Sequence, residues 1–355
     1  MSEPSGALAG LRVVEFASIG PGPHCAMLLA DHGADVIRID RPGGNGWPNP
    51  IMDRGRATMT LDIRSDEGRA TALDLCDRAD VVIEGFRPGV MERLGLGPDD
   101  LLARNAALVY GRMTGWGQDG PLARRAGHDI DYIALTGALD AIGEPGRRAV
   151  PPLNLVGDFG GGSMFLAFGI MAALWERERS GRGQVVDAAI VDGVCHLMTM
   201  FTGLLPSGRL SLDRARNALG GSAPFYRTYI CADGREIAVG AIEPQFWTHM
   251  LDILGIADAA VSQRQEDWPQ ATALLERTFA RAPRDHWATL FRNTDACVFP
   301  VLSADEATRD EHLAARGTFA IHEQLMQAAP APRLSRTPAR IQPSRDGERM
   351  WKRWE

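Results

Sequence analysis

The stretch Leu155-Val156-Gly157-Asp158-Phe159-Gly160-Gly161-Gly162-Ser163 sets one carboxylate among turn-forming residues, just ahead of the apolar run Met164 to Trp175. That run reads as a buried helix starting near Gly162 or Ser163. Glycines let a ligand come close to the backbone, and the free N–H groups of a helix N-terminus favour negative charge. On this reading Gly160, Gly161 and Gly162 form an oxyanion-stabilising helix start with Asp158 at its mouth. The competing reading makes Gly157-Asp158 a turn and Asp158 a helix cap. A second candidate is His128, which follows the glycine-rich loop Met113 to Leu122. Imidazole exchanges protons near neutral pH, although a lone histidine is more often structural. The third is Glu243, at the end of the buried run Ala238 to Ile242. It either orients a histidine or opens the next helix.

The elements that must hold these groups follow an alternating pattern. Leu11 to Ala17 reads as a strand, Gly20-Pro21-Gly22-Pro23 as a turn, His24 to His32 as a helix and Gly33 to Asp40 as a second strand. This is a βαβ unit, which implies a parallel sheet with a right-handed crossover. The pattern continues with a helix at 66–78, a buried strand at 79–84, a short helix at 90–94 and a strand at 107–113. The fold class expected is α/β, an open Rossmann-type sheet with ligands beyond the carboxyl ends of its strands. A nicotinamide dinucleotide is disfavoured, because Cys25 stands where the third glycine of G-x-G-x-x-G would fall.

A strand at 181–190 precedes an apolar helix from Val191 to about Leu205, and a Gly/Ser/Arg-rich connector spans 206–222. Tyr226 to Gly240 reads as a hairpin turning at Asp233-Gly234. Helices at 244–254, 268–281 and 284–292 and a strand at 297–301 complete a smaller α+β domain. The proline-bearing tail from Ala328 reads as mostly extended.

With 355 residues, 45% hydrophobic and 23% charged, the composition is that of an ordinary globular chain of two domains. A net charge of −7 argues against nucleic acid or an anionic membrane as partner. Five scattered cysteines without C-x-x-C spacing imply reduced thiols and argue against a zinc site. Glycines are expected to interrupt each apolar run before it reaches membrane-spanning length, and no cleavable leader is read at the N-terminus. The chain is therefore expected to be cytoplasmic, with no membrane partner.

The runs Arg112 to Gln118, Gly127-His128-Asp129-Ile130, Pro151 to Ser163 and Gly240 to Gln245 closely resemble the α-methylacyl-CoA racemases of the family III CoA-transferase group. The resemblance extends from about Gly10 to about Pro338. It implies a 1,1-proton transfer at the α-carbon of a 2-methylacyl-CoA through an enolate. His128 and Asp158 would act on opposite faces of that carbon, and Glu243 would support His128. Inversion of a stereocentre by proton exchange requires such a pair of groups. The resemblance further assigns Arg41, Arg64, Arg87 and Arg93 to the nucleotide and phosphates of CoA, and Gly127, Asp129 and Tyr132 to the thioester end. Guanidinium forks suit phosphate oxygens, while any single arginine is commonly a solvated surface charge. No metal or redox cofactor is required, CoA being part of the substrate. Also implied is an interlocked homodimer, with residues 1–190 and 326–355 as a large CoA-binding domain, 191–225 as connecting helix and linker, and 226–325 as a small domain. The alternative within the group is a CoA-transferase in which Asp158 is the acyl-accepting nucleophile.

Overall fold

A computed structural model describes residues 6–44, 46–259 and 261–354; residues 1–5 and 355, expected at the ends of the large domain, lie outside them. Two compact units emerge. The first comprises the chain up to Thr136, Pro152–Leu197 and the chain from Ala314 onward. The second comprises Gly137–Pro151 and Met198–Leu313, so that residues 137–151 group with it rather than with the run that precedes them.

In the first unit the elements run β1 (Arg12–Phe16), α1 (Pro21–Asp31), β2 (Asp35–Asp40), β3 (Arg56–Thr60), α2 (Asp66–Asp77), β4 (Val81–Glu84), α3 (Val90–Arg93), α4 (Pro98–Arg104), β5 (Val109–Thr114) and α5 (Asp129–Leu135). A π-helical segment, Leu155–Ser163, then leads into α6 (Met164–Ser180), followed by β6 (Val185–Ala189) and α7 (Ile190–Leu197). The second unit holds α8 (Thr199–Leu204), the antiparallel strands β7 (Arg227–Ile230), β8 (Glu236–Val239) and, after the helices α9 (Pro244–Ile253), α10 (Trp268–Phe279) and α11 (Arg284–Phe291), β9 (Val298–Pro300). Its core is aromatic, with Tyr229, Trp247, Trp268, Phe279 and Trp287 buried together. After α12 (Ala304–Ala307) and α13 (Glu311–Arg316), the chain forms the hairpin β10 (Phe319–His322) and β11 (Leu325–Ala328), then β12 (Arg345–Asp346) and α14 (Gly347–Trp351).

The large sheet has seven strands in the order β12-β3-β2-β1-β4-β5-β6, every neighbouring pair parallel. Apart from the added β12, this is the doubly wound order, whose crevice opens between the first strand and the one that starts the second half. Central strands of such a sheet are covered on both faces and so read as continuous apolar runs. Val13, Val14, Val81, Val82 and Ile83 are accordingly fully buried.

Two sequence expectations are corrected. The tail is not simply extended: β12 pairs with β3, and α14 follows, with Met350 and Trp354 buried in the sheet's core. Nor do glycines interrupt the apolar run at 155–180. The π-helical segment and α6 make a continuous helix of 26 residues, long and apolar enough to cross a membrane by composition alone. Gly160–Gly162 are absorbed into its wide turns, and Leu166, Ile170, Ala173 and Leu174 of α6 are buried.

Beside the crevice lies a knot of buried ion pairs. Arg56, which opens β3, donates from Nε to Glu15 Oε2 at 3.0 Å and from Nη2 to the Pro23 carbonyl at 2.6 Å. Arg54 forks onto both oxygens of Asp31 at 3.0 and 2.6 Å, and Arg38 donates to Asp53 at 2.5 Å. These bonds hold the connection before β3 against α1 and β1. Removing one partner of a buried pair leaves the other charge stranded. Arg56→Met should therefore lose about 3–5 kcal/mol of stability, read from the midpoint of urea unfolding. An unchanged midpoint would show that Glu15 has another counter-charge.

Candidate active site

Two adjoining cavities open beyond the carboxyl ends of the strands. One, about 760 Å³, is lined by Ser18 and Ile19 after β1, Arg41 after β2, Arg64 after β3, Gly85 and Phe86 after β4, and Arg93 of α3. The other, about 880 Å³, shares Ser18, Ile19, Gly85 and Phe86 and extends past Arg87 to Trp116, Gly127, His128, Asp129, Tyr132, Asn154 and Asp158. The structure thus gathers His128, Asp158, Arg87, Gly127, Asp129 and Tyr132 around one space and Arg41, Arg64 and Arg93 around its neighbour. All four arginines are exposed. Glu243 belongs to the second unit, where it precedes Pro244 as the N-cap of α9.

His128 is placed by the start of α5. It is the N-cap residue, its N–H donates to Asp131 Oδ2 at 2.9 Å, and its side chain is exposed. Asp158 sits early in the π-helical segment, where Asn154 Nδ2 donates to its Oδ2 at 3.1 Å. Burial raises the Asp158 carboxyl above its ordinary range; the Asn154 hydrogen bond opposes this, the Asp129 charge adds to it and His128 opposes it. Gly20, the N-cap of α1 with φ 72°, explains the Gly-Pro-Gly-Pro run: a Cβ there would lie 3.2 Å from Asp158 Oδ2. Behind Asp158, the Phe159 ring lies 4.7 Å from that of His24, whose Nδ1 meets Ser163 Oγ at 2.7 Å. Burial, with Arg56 and Arg54 nearby, pushes the His24 imidazole below its usual pKa. Below the crevice, Glu84 accepts the Phe86 N–H at 2.7 Å and Arg112 Nε at 3.0 Å, while burial pushes its carboxyl up to about 7.

The thioester-end candidates are committed to one another. Tyr132 donates to the Gly127 carbonyl at 2.5 Å and packs edge-on against Trp116 at 4.7 Å. A Cβ at Gly115 or Gly127 would strike the tyrosine ring. Burial, with Asp158 next in effect, pushes the phenol up to about 12.

The α-helix α6 begins at Met164, where the sequence puts a helix, but Gly160, Gly161 and Gly162 do not form a free N-terminus there. The continuous helix already begins at Leu155, and the Phe159 N–H reaches the Asn154 carbonyl at 3.3 Å while the Met164 N–H goes to Phe159, the i→i−5 pattern of a π helix. The glycines lie inside it, and none of them lines either cavity. They permit close packing instead: a Cβ at Gly161 would meet Val194 at 2.7 Å, and one at Gly162 would meet Ile190 and Pro21 at 3.1 Å. Sequence reasoning also missed Asn154, although a carboxamide four residues before a helical carboxylate is a readable signal.

The chain belongs to CoA-transferase family III, whose family model matches residues 8–345. Among its relatives is the alpha-methylacyl-CoA racemase of Mus musculus, 45% identical over 96% of this chain and 89% of the relative. The Homo sapiens alpha-methylacyl-CoA racemase is 44% identical over 94% of this chain and 88% of its own. A crystal structure of a CaiB/BaiF family protein from Brucella suis superposes with a TM-score of 0.85 at 28% identity, covering 99% of this chain and all of that one (100%).

If the glycines serve packing, Gly161→Ala should cost about 1–3 kcal/mol of stability, because the Val194 and Ile190 main chain cannot yield readily. Thermal melting checks this. A wild-type melting temperature would contradict the packing role.

Proposed function

We infer that this chain interconverts the (R)- and (S)-enantiomers of 2-methylacyl-CoA thioesters. The observation that carries the reading is the meeting of His128 and Asp158 around one cavity that continues into an arginine-bearing neighbour. The CoA moiety lies along Arg41, Arg64, Arg87 and Arg93, whose guanidinium groups pair with phosphate oxygens, and the thioester lies near Gly127 and Tyr132. One of the two bases takes the α-proton from one face, and the other returns a proton to the opposite face of the enolate. Negative charge then grows on the thioester oxygen. The start of α5 at Asp129 supplies N–H donors beside it. The Asn154 hydrogen bond favours the ionised form of Asp158 and so opposes the effect of burial, and the sequence resemblance gives Glu243 a supporting part for His128. The reaction needs no metal or redox group.

The same reading includes a homodimer in the cytoplasm. It is supported by an apolar stripe on α6, where Met164, Phe168, Met171 and Trp175 are 51%, 74%, 40% and 69% exposed at helical spacing. Five free cysteines fit a reducing compartment.

Incubating one enantiomer of a 2-methylacyl-CoA in heavy water should give α-deuterium incorporation together with inversion. Acyl transfer to a free carboxylate without α-exchange would establish the transferase chemistry instead. His128→Ala and Asp158→Ala should each lower inversion by at least about 10²-fold, Glu243→Gln less so. Each single variant should retain exchange on the face its remaining base serves. Because the Asp158 carboxyl is raised, the activity that needs its ionised form should fall away with decreasing pH above the ordinary carboxylate range.

Arg41→Ala or Arg93→Ala should mainly weaken affinity for CoA esters, with a deficit that shrinks as salt screens the ion pairs. Titration calorimetry with a CoA ester at two ionic strengths measures this; equal affinities for wild type and variants would leave both arginines as plain surface charges.

A further inference from the structure

Asp129 follows His128 in the chain, yet its side chain turns inward while the histidine stays exposed. Asp129 Oδ1 accepts the Asp158 N–H at 2.6 Å, and the Gly157 N–H donates to the same carboxylate. Gly157 has to be glycine here, because a Cβ would overlap the Asp129 carboxylate. The residue is only 9% exposed, and its Oδ2 is buried without a hydrogen-bond partner among the described residues. An anion so placed forms strong charge-assisted bonds to the N–H donors of a helix start and is costly to leave unsatisfied.

We propose that Asp129 is a positioning residue: by binding the Gly157 and Asp158 N–H groups it fastens the first turn of the π-helical segment to α5 and so fixes the Asp158 carboxyl relative to His128. This differs from the CoA contact that the sequence resemblance assigned to it. The inference rests on the proton-transfer reading above. His128 and Asp129 are adjacent in the chain, so a single peptide unit joins the clamp to one base and the clamp's hydrogen bond joins it to the other. A displacement of about 1 Å between reacting groups is enough to cost about 10²-fold in rate. The groups facing Asp158 are Asn154 from its own segment, His128 and Asp129 from the α5 start, and Gly20 from the α1 start. Asp131 and Arg87 act on Tyr132 beside it.

The test uses the full chain with Asp129→Asn and, independently, Gly157→Ala, which forces a methyl group into the clamp. Both should lower kcat for a 2-methylacyl-CoA by about 10²-fold with KM changed no more than about threefold. In Asp129→Asn the acid limb of kcat should also move to lower pH, since a negative neighbour of Asp158 is gone. Amide hydrogen exchange at Gly157 and Asp158, read without substrate, should speed up in both variants. If Asp129→Asn does not fold, Gly157→Ala carries the same measurements. A raised KM with kcat intact would make Asp129 a substrate contact and overturn the proposal, as would unchanged amide protection. A wild type that exchanges no α-proton would instead overturn the functional reading, and the amide measurement would still decide whether the clamp exists.

Discussion

The site depends on a reversal in the winding of the parallel sheet between β1 and β4. Chain leaving these adjacent strands departs in opposite directions, which opens a crevice at their carboxyl ends. Ser18 and Ile19 emerge on one side of it and Gly85 and Phe86 on the other, so both cavities share that border. The floor is held by main-chain capture: Glu84, wholly buried at the end of β4, accepts the Phe86 N–H and is itself held by Arg112. The two candidate bases come from later in the chain. Asp158 reaches over Gly20, and α5 brings His128, so the order of the elements in sequence differs from their order around the crevice.

One residue type has two opposite uses in this region. Arg38, Arg54 and Arg56 are buried and donate to Asp53, Asp31, Glu15 and nearby carbonyls. Such groups cannot also meet a diffusing anion. Arg41, Arg64, Arg87 and Arg93 are exposed beyond β2, β3 and β4 and on α3, along the two cavities. The buried set stiffens the connection that carries Met52 and Asp53 along the cavity wall.

Legibility from sequence followed the range of the interactions involved. Strands β1, β2, β4 and β5 were readable because burial on both faces writes an unbroken apolar run. Strand β3 was not, since Arg56-Ala57-Thr58-Met59-Thr60 carries a charge whose burial depends on Glu15, far away in the chain. Asp158 and His128 stood out through their glycine-rich surroundings. The glycines were misread because three in a row resemble an anion-binding N-terminus, whereas their cause is the closeness of Val194, Ile190 and Pro21. That cause is tertiary, and no local pattern expresses it. The inward turn of Asp129 was hidden for the same reason.

The pairing of Arg345-Asp346 with Ala57-Thr58 also bears on how the chain is made. Synthesis proceeds from the N-terminus, so β3 emerges from the ribosome long before the segment that covers it. Throughout that interval its outer edge presents unpaired N–H and C=O groups, the kind of template on which strands from other nascent chains can add. Completion of the sheet therefore waits for the segment that bears β12. A stalled or truncated product that already holds every residue of both cavities would still carry an open edge.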